Sequence, residues 1–128
     1  MFKGFIAKHQ ELHAYQVAFD AAMQLFEQSQ SFPEAERHLL TQQMLRSSRT
    51  VCANLAKAWQ KRRHKGAFVA QLNAAETEAA ETQTWLEFAV LCGYLEEEVG
   101  QELYQHYAEV LARIDRLIEH ADAWVVSS

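Results

Sequence analysis

Residues that interrupt regular structure are scarce in this chain. Its 128 residues include a single proline, Pro33, and four glycines, whereas an all-β chain needs a turn signal roughly every 8–12 residues. That shortage points to helices. Cysteine is limited to Cys52 and Cys92, far apart and without a CxxC pair, so neither a disulfide framework nor a cysteine-held metal is expected; both read as small buried hydrophobes. No stretch approaches the roughly 18 apolar residues of a membrane span. The opening Met-Phe-Lys-Gly-Phe-Ile-Ala-Lys-His lacks the longer apolar core and cleavage site of a secretory signal, and a cytoplasmic protein is expected. Disorder is excluded as well, because 49% apolar and 23% charged residues match a globular average. The length suits one domain over 1–128.

What is present is helical periodicity. Leu12, Tyr15, Phe19, Ala22 and Phe26 alternate spacings of three and four, which keeps one stripe on one face of a helix over about 10–31. Ser31-Phe32-Pro33-Glu34 reads as a turn and a helix start, giving a second helix over about 34–64. Its inner stripe is Leu40, Met44, Ser47, Val51, Leu55 and Ala58. Gly66 allows a break. A third helix over about 67–92 carries Phe68, Leu72, Ala75, Ala79, Thr82, Leu86 and Ala89, whose small central residues admit a close neighbour. Gly93 can cap it in the left-handed conformation. A fourth helix over about 96–124 has the stripe Val99, Leu103, Tyr107, Val110, Ile114, Leu117, Ala121 and Trp124, after which the tail is expected to fray. Four amphipathic helices with short connections predict an all-α, antiparallel up-and-down four-helix bundle.

Charge is unevenly spread. The net charge is −5, yet residues 34–66 hold eight Lys or Arg against two acids. The remainder is acidic, with no Lys or Arg in 67–95 and only Arg113 and Arg116 in 96–128. On a helical wheel Arg46, Arg49, Lys57, Gln60 and His64 fall opposite the apolar seam, and Lys61, Arg62, Arg63 and Lys65 extend the charge to the helix end. Such a stripe could track a nucleic-acid backbone. The other reading, of equal weight on the residues alone, pairs these cations with the Glu-rich later helices within or between subunits.

Catalytic chemistry finds no pattern here. His9 and His13 have zinc-helix spacing, but Gln10 stands where the catalytic motif needs Glu. A di-iron set would need two Glu-x-x-His pairs, and they are missing. The carboxylates fall mostly on outward positions. No enzyme, catalytic residue, metal or cofactor is expected. Asn54, at the margin of the seam, is read as a structural polar residue that satisfies a buried hydrogen bond and sets register. Trp59 and Trp85 are read as packing or subunit-contact residues.

The run Leu40-Thr41-Gln42-Gln43-Met44-Leu45-Arg46-Ser47-Ser48-Arg49-Thr50-Val51-Cys52-Ala53-Asn54-Leu55-Ala56-Lys57-Ala58-Trp59-Gln60-Lys61-Arg62-Arg63 resembles the signature of the bacterial 23S rRNA-intervening-sequence protein family. Leu12, Tyr15, Gln16 and Ala18, Phe32-Pro33, Glu36-Arg37, residues 81–89 and Cys92-Gly93-Tyr94-Leu95 extend the likeness along nearly the whole chain. The family usually has two adjacent arginines where this chain has Leu45-Arg46, and an acid where it has Lys57. Its conserved positions match at Asn54, Glu81, Thr82 and Gln83, of which Glu81 and Gln83 join Asn54 as structural polar residues. The resemblance implies an up-and-down bundle assembled as a five-fold ring, with a link to RNA or DNA and no catalytic site. A more distant likeness, to the accessory protein of diversity-generating retroelements, implies a reverse transcriptase as a possible partner. The expectation is therefore a non-enzymatic homopentamer binding nucleic acid or a ribonucleoprotein through Arg46, Arg49, Lys57, Lys61, Arg62, Arg63 and Lys65. The alternative is a protein-interaction ring without direct nucleic-acid binding.

Overall fold

The computed structural model describes residues 8–126, and among them helices alone provide the regular structure. A 3-10 turn over His9–Glu11 leads into α1, His13–Ser29. Then come a second 3-10 turn, Glu34–Glu36, α2 over Leu40–Gln60 and α3 over Lys65–Leu91. Next are α4, Glu97–Glu119, and a single-turn α5, Ala121–Trp124. Each long helix packs on its sequence neighbours, α4 closes against α1, and the diagonal pairs stay apart. The direction is read from paired side chains. Ser47 on α2 meets Thr82 on α3 at 2.7 Å, and Asn54, further along α2, meets Gln71, earlier on α3, at 2.9 Å. Helices joined by short turns in this order form the four-helix bundle expected.

The inner stripes read for α2 and α3 are buried throughout, from Leu40 to Ala58 and from Phe68 to Ala89. On α4 the stripe from Leu103 to Leu117 is buried, with Tyr107, Val110 and Ile114 wholly enclosed. Full burial of a side chain such as Leu or Ile contributes about 1.5–3 kcal/mol relative to exposure, so these seams are a large part of the driving force. Helix α1 departs from the expected stripe. Its core face is Ala14, Ala18, Ala21, Leu25 and Ser29, while Phe19 is 49% and Met23 47% exposed and Phe26 lies outward. The alanines bring α1 close to α2 and α4, and the bulky side chains are turned to the outside.

Several boundaries also differ. After Pro33 the chain makes one 3-10 turn, and Leu39 (φ −119°, ψ −106°) interrupts the path, so α2 begins at Leu40. The Glu36 carboxylate accepts the Leu40 N–H at 3.4 Å, covering one of the exposed donors of that start. At the other end α2 stops at Gln60, and the break falls at His64, whose extended backbone precedes α3; Gly66 lies inside the first turn of α3. Gly93 (φ +78°) closes α3 as expected, with Tyr94 N–H bonded to Ala89 C=O and Gly93 N–H to Val90 C=O, a Schellman arrangement. The fourth helix is split at His120. That bend lays Trp124 edge-on against Trp59, 6.0 Å between centroids, and lets Val126 N–H bond to Arg62 C=O at 3.0 Å. The tail up to Val126 is thus docked rather than frayed; the last two serines lie outside the described residues.

Candidate nucleic-acid interface

The seven cations singled out do not share one surface. Arg46 points toward α3, where its guanidinium donates to both carboxylate oxygens of Glu81 at 2.9 and 3.0 Å and reaches Glu78 at 3.5 Å. The Glu81 hydrogen bond is the main reason its charged form is held more firmly than usual. Glu78 is raised, first by desolvation and then by its hydrogen bond with Glu81, with Arg46 pulling the other way. One cation thus serves two carboxyl groups. Arg49 turns to the α1 side, 5.9 Å over the Phe26 ring.

Both arginines line a groove of about 690 Å3 between the end of α1 and the first half of α2. Sequence reading missed its other walls: Arg37, His38, Thr41 and Phe32. Arg37 is bound to Glu34 at 3.2 Å, and the Thr41 hydroxyl is enclosed with no partner. No periodic signal marks these residues, because they lie on a turn and on an outward helix position.

The other cations gather at the far end of α2, beginning with Lys57 about 12 Å beyond Arg49 at 1.5 Å per residue. Lys57 and Arg63 are exposed, and neither forms an ion pair among the described residues. Lys61 donates to the neutral Gln71 side chain at 3.1 Å. Arg62 lies 3.4 Å over the Trp59 ring and donates to Trp59 C=O at 2.9 Å; desolvation in that position lowers its pKa. Lys65 pairs with Asp122 at 2.9 Å. Because α2 ends at Gln60, residues 61–64 form a turn, and this basic group wraps the end of the bundle instead of continuing a helix face.

The polar residues sit between helices. Asn54 is buried and accepts from Gln71, Glu81 holds Arg46, and Gln83 donates to Tyr104 C=O across the α3/α4 seam at 3.3 Å. Trp59 is buried and Trp85 half-buried. His9 lies in the 3-10 turn and His13 begins α1, so they do not share one helix; the His9 ring meets Tyr15 edge-on at 4.9 Å. Cys52 is buried, but Cys92 is exposed just beyond α3, correcting its reading as a buried hydrophobe. Among the described residues no three His, Cys, Asp or Glu side chains converge as a metal set, and no helix is long and apolar enough to cross a membrane. The arrangement can hold anions on exposed cations, with the Trp59 and Trp124 rings close to the basic turn.

A family model described as 23S rRNA-intervening sequence protein matches residues 10–116. The chain is also similar to a crystal structure from Bacteroides thetaiotaomicron, a protein with unknown function from the S23 ribosomal protein family. Identity is 23%, the match covers 83% of this chain and 95% of that one, and the TM-score is 0.75. That likeness bears on the fold. No curated protein matches.

Proposed function

The chain belongs to the 23S rRNA-intervening sequence protein family, and from that premise we propose that it is a non-enzymatic, cytoplasmic homo-oligomer, a five-fold ring, that binds nucleic acid or a ribonucleoprotein. The binding surface is the exposed basic group at the end of α2. One observation carries this reading: of the cations Lys57, Lys61, Arg62, Arg63 and Lys65, only Lys65 has a carboxylate partner among the described residues. Exposed and unneutralised cations suit a phosphate backbone. Arg49 adds to the surface further along α2. Arg46 contributes less, because its guanidinium is engaged by Glu81.

Self-assembly is supported by apolar faces that no other described residue of the chain covers. Helix α1 turns Phe19, Met23 and Phe26 outward, and α3 exposes Phe88 and 87% of Leu91 on a helix without a Lys or Arg after Lys65. Large apolar patches of this kind mark interfaces. The Arg46–Glu81 pair favours a second reading, a protein-interaction ring whose cations meet carboxylates rather than phosphates.

Fluorescence anisotropy with structured RNA, single-stranded RNA and duplex DNA separates the two. The expected result is binding of at least one ligand at low salt, weakened at least tenfold by the combined change Lys57→Gln, Lys61→Gln and Arg63→Gln. An assembled protein that binds none of the three overturns the nucleic-acid reading.

A further inference from the structure

Cations in the acidic half of the chain converge on one place. From 67 to 128 the only Lys or Arg residues are Arg113 and Arg116, and both line one cleft of about 270 Å3 between the start of α1 and the end of α4. His13, His120 and Trp124 complete its functional walls, and no carboxylate is among the described residues that line it. Arg113 is tied along its own helix to Glu109 at 3.0 Å, whereas Arg116 has no ion pair among the described residues.

Stabilisation of the helix end explains part of this group. Arg116 and His120 sit at the C-terminal end of α4, where the helix dipole favours cations. His13 does not fit that account. It is the first residue of α1, where the dipole is positive, and Leu12 before it supplies no side-chain acceptor. Two guanidinium groups, two imidazoles and the positive end of a 17-residue helix therefore border one space with no carboxylate among the described residues that line it, facing only the C-terminal end of α4. An anion in that space neutralises the group, and a guanidinium fork matches phosphate oxygens two at a time. Trp124, half-buried and braced by Trp59 at 6.0 Å, adds a planar apolar wall suited to a base.

We propose that this cleft is a nucleotide site, with a phosphate held by Arg113, Arg116, His13 and His120 and the base against Trp124. The cleft shares none of its cations with the α2 surface, so the two readings fail separately. The test is an NMR titration of the full chain with inorganic phosphate, adenosine monophosphate and a short single-stranded oligonucleotide, following the amides of His13, Arg116 and His120 and the Trp124 indole. Saturable shifts are expected with the nucleotide or the oligonucleotide, tighter than with phosphate alone, and the tighter of the two identifies a free nucleotide or a chain as the source. Arg116→Gln and His120→Gln, both exposed positions, should each weaken binding at least tenfold, while Glu97→Gln, exposed at the opposite end of the bundle, leaves it unchanged. No saturable shift at these groups, equal affinity for phosphate and nucleotide, or wild-type binding by both cleft variants overturns the assignment.

Discussion

Gly100 sits where the first turn of α4 crosses the last turns of α3, and a Cβ there would run into the Val90 side chain. Alanine is normally the better helix former by about 1 kcal/mol, so the sign of the substitution reports on packing. Gly100→Ala is expected to destabilise the bundle by about 1–3 kcal/mol through overpacking, and Val90→Ala in the same chain should recover most of the loss. A thermal melt in which Gly100→Ala alone raises the transition would contradict the close approach. The two cysteines offer a second residue-scale test. Burial pushes the Cys52 thiol up to about 11, whereas Cys92 is exposed; since the thiolate is the reactive form, a disulfide reagent at pH 8 should titrate one thiol in the native protein and two after denaturation. Two fast thiols in the folded protein would disprove the burial of Cys52.

Helices differ in how plainly the sequence announces them. The seam of α2 was legible because its buried positions segregate from a polar and basic face, that of α3 because Phe68, Leu72, Ala75, Ala79, Thr82, Leu86 and Ala89 keep helical spacing, and Gly93 marked the end of α3 through its conformational freedom. Helix α1 was misread because small residues make its core face: Ala14, Ala18 and Ala21 are enclosed while Phe19 and Met23 look outward. Weight of hydrophobicity favoured the wrong face. The split at His120 left no local signal, since it depends on the distant contact between Trp59 and Trp124. The same limit applies to the site: the basic run was visible, but which cations find carboxylates was decided by α3, which placed Glu81 beside Arg46 and a neutral Gln71 beside Lys61.

The α3/α4 seam gives the element-scale prediction. Glu76 on α3 is raised to about 7, first by desolvation and then by its hydrogen bond with Asp115 on α4. A carboxyl raised by folding keeps its proton where the unfolded chain has lost it, so it costs stability as pH rises from about 4.5 toward 7. Glu76→Gln should flatten the pH dependence of the melting temperature across that window and raise it at pH 7.5. A uniform offset at all pH values would show that Glu76 does not titrate in this way. On α1, Phe19→Ser with Met23→Ser removes apolar area from the outer face without touching the core, and light scattering should then report a smaller assembly. An unchanged mass would place the subunit contact elsewhere.

At the scale of the whole molecule, charge is divided between the ends of the bundle. The α2–α3 turn, the start of α1 and the end of α4 lie together, as the contacts of Arg62 with Val126 and Lys65 with Asp122 require, and this end collects most of the described basic residues, with Arg37, Arg46 and Arg49 toward the other. The opposite end carries Glu34 and Glu36 before α2 and Glu96, Glu97 and Glu98 at the start of α4. A net charge of −5 therefore coexists with a basic pole, and an assembly that aligns these poles would concentrate positive potential on one face. Tyr94 secures the acidic end, donating to Glu36 at 2.9 Å while its ring meets Phe32 at 5.9 Å.

The most direct test of this account is the salt dependence of nucleic-acid affinity, measured by anisotropy for the wild-type protein and for the Lys57→Gln, Lys61→Gln, Arg63→Gln variant. The account predicts a falling line of log affinity against log salt, with a slope shallower in the variant by about one for each phosphate contact removed. A slope that is the same in both proteins, or no affinity at the lowest salt, would contradict it.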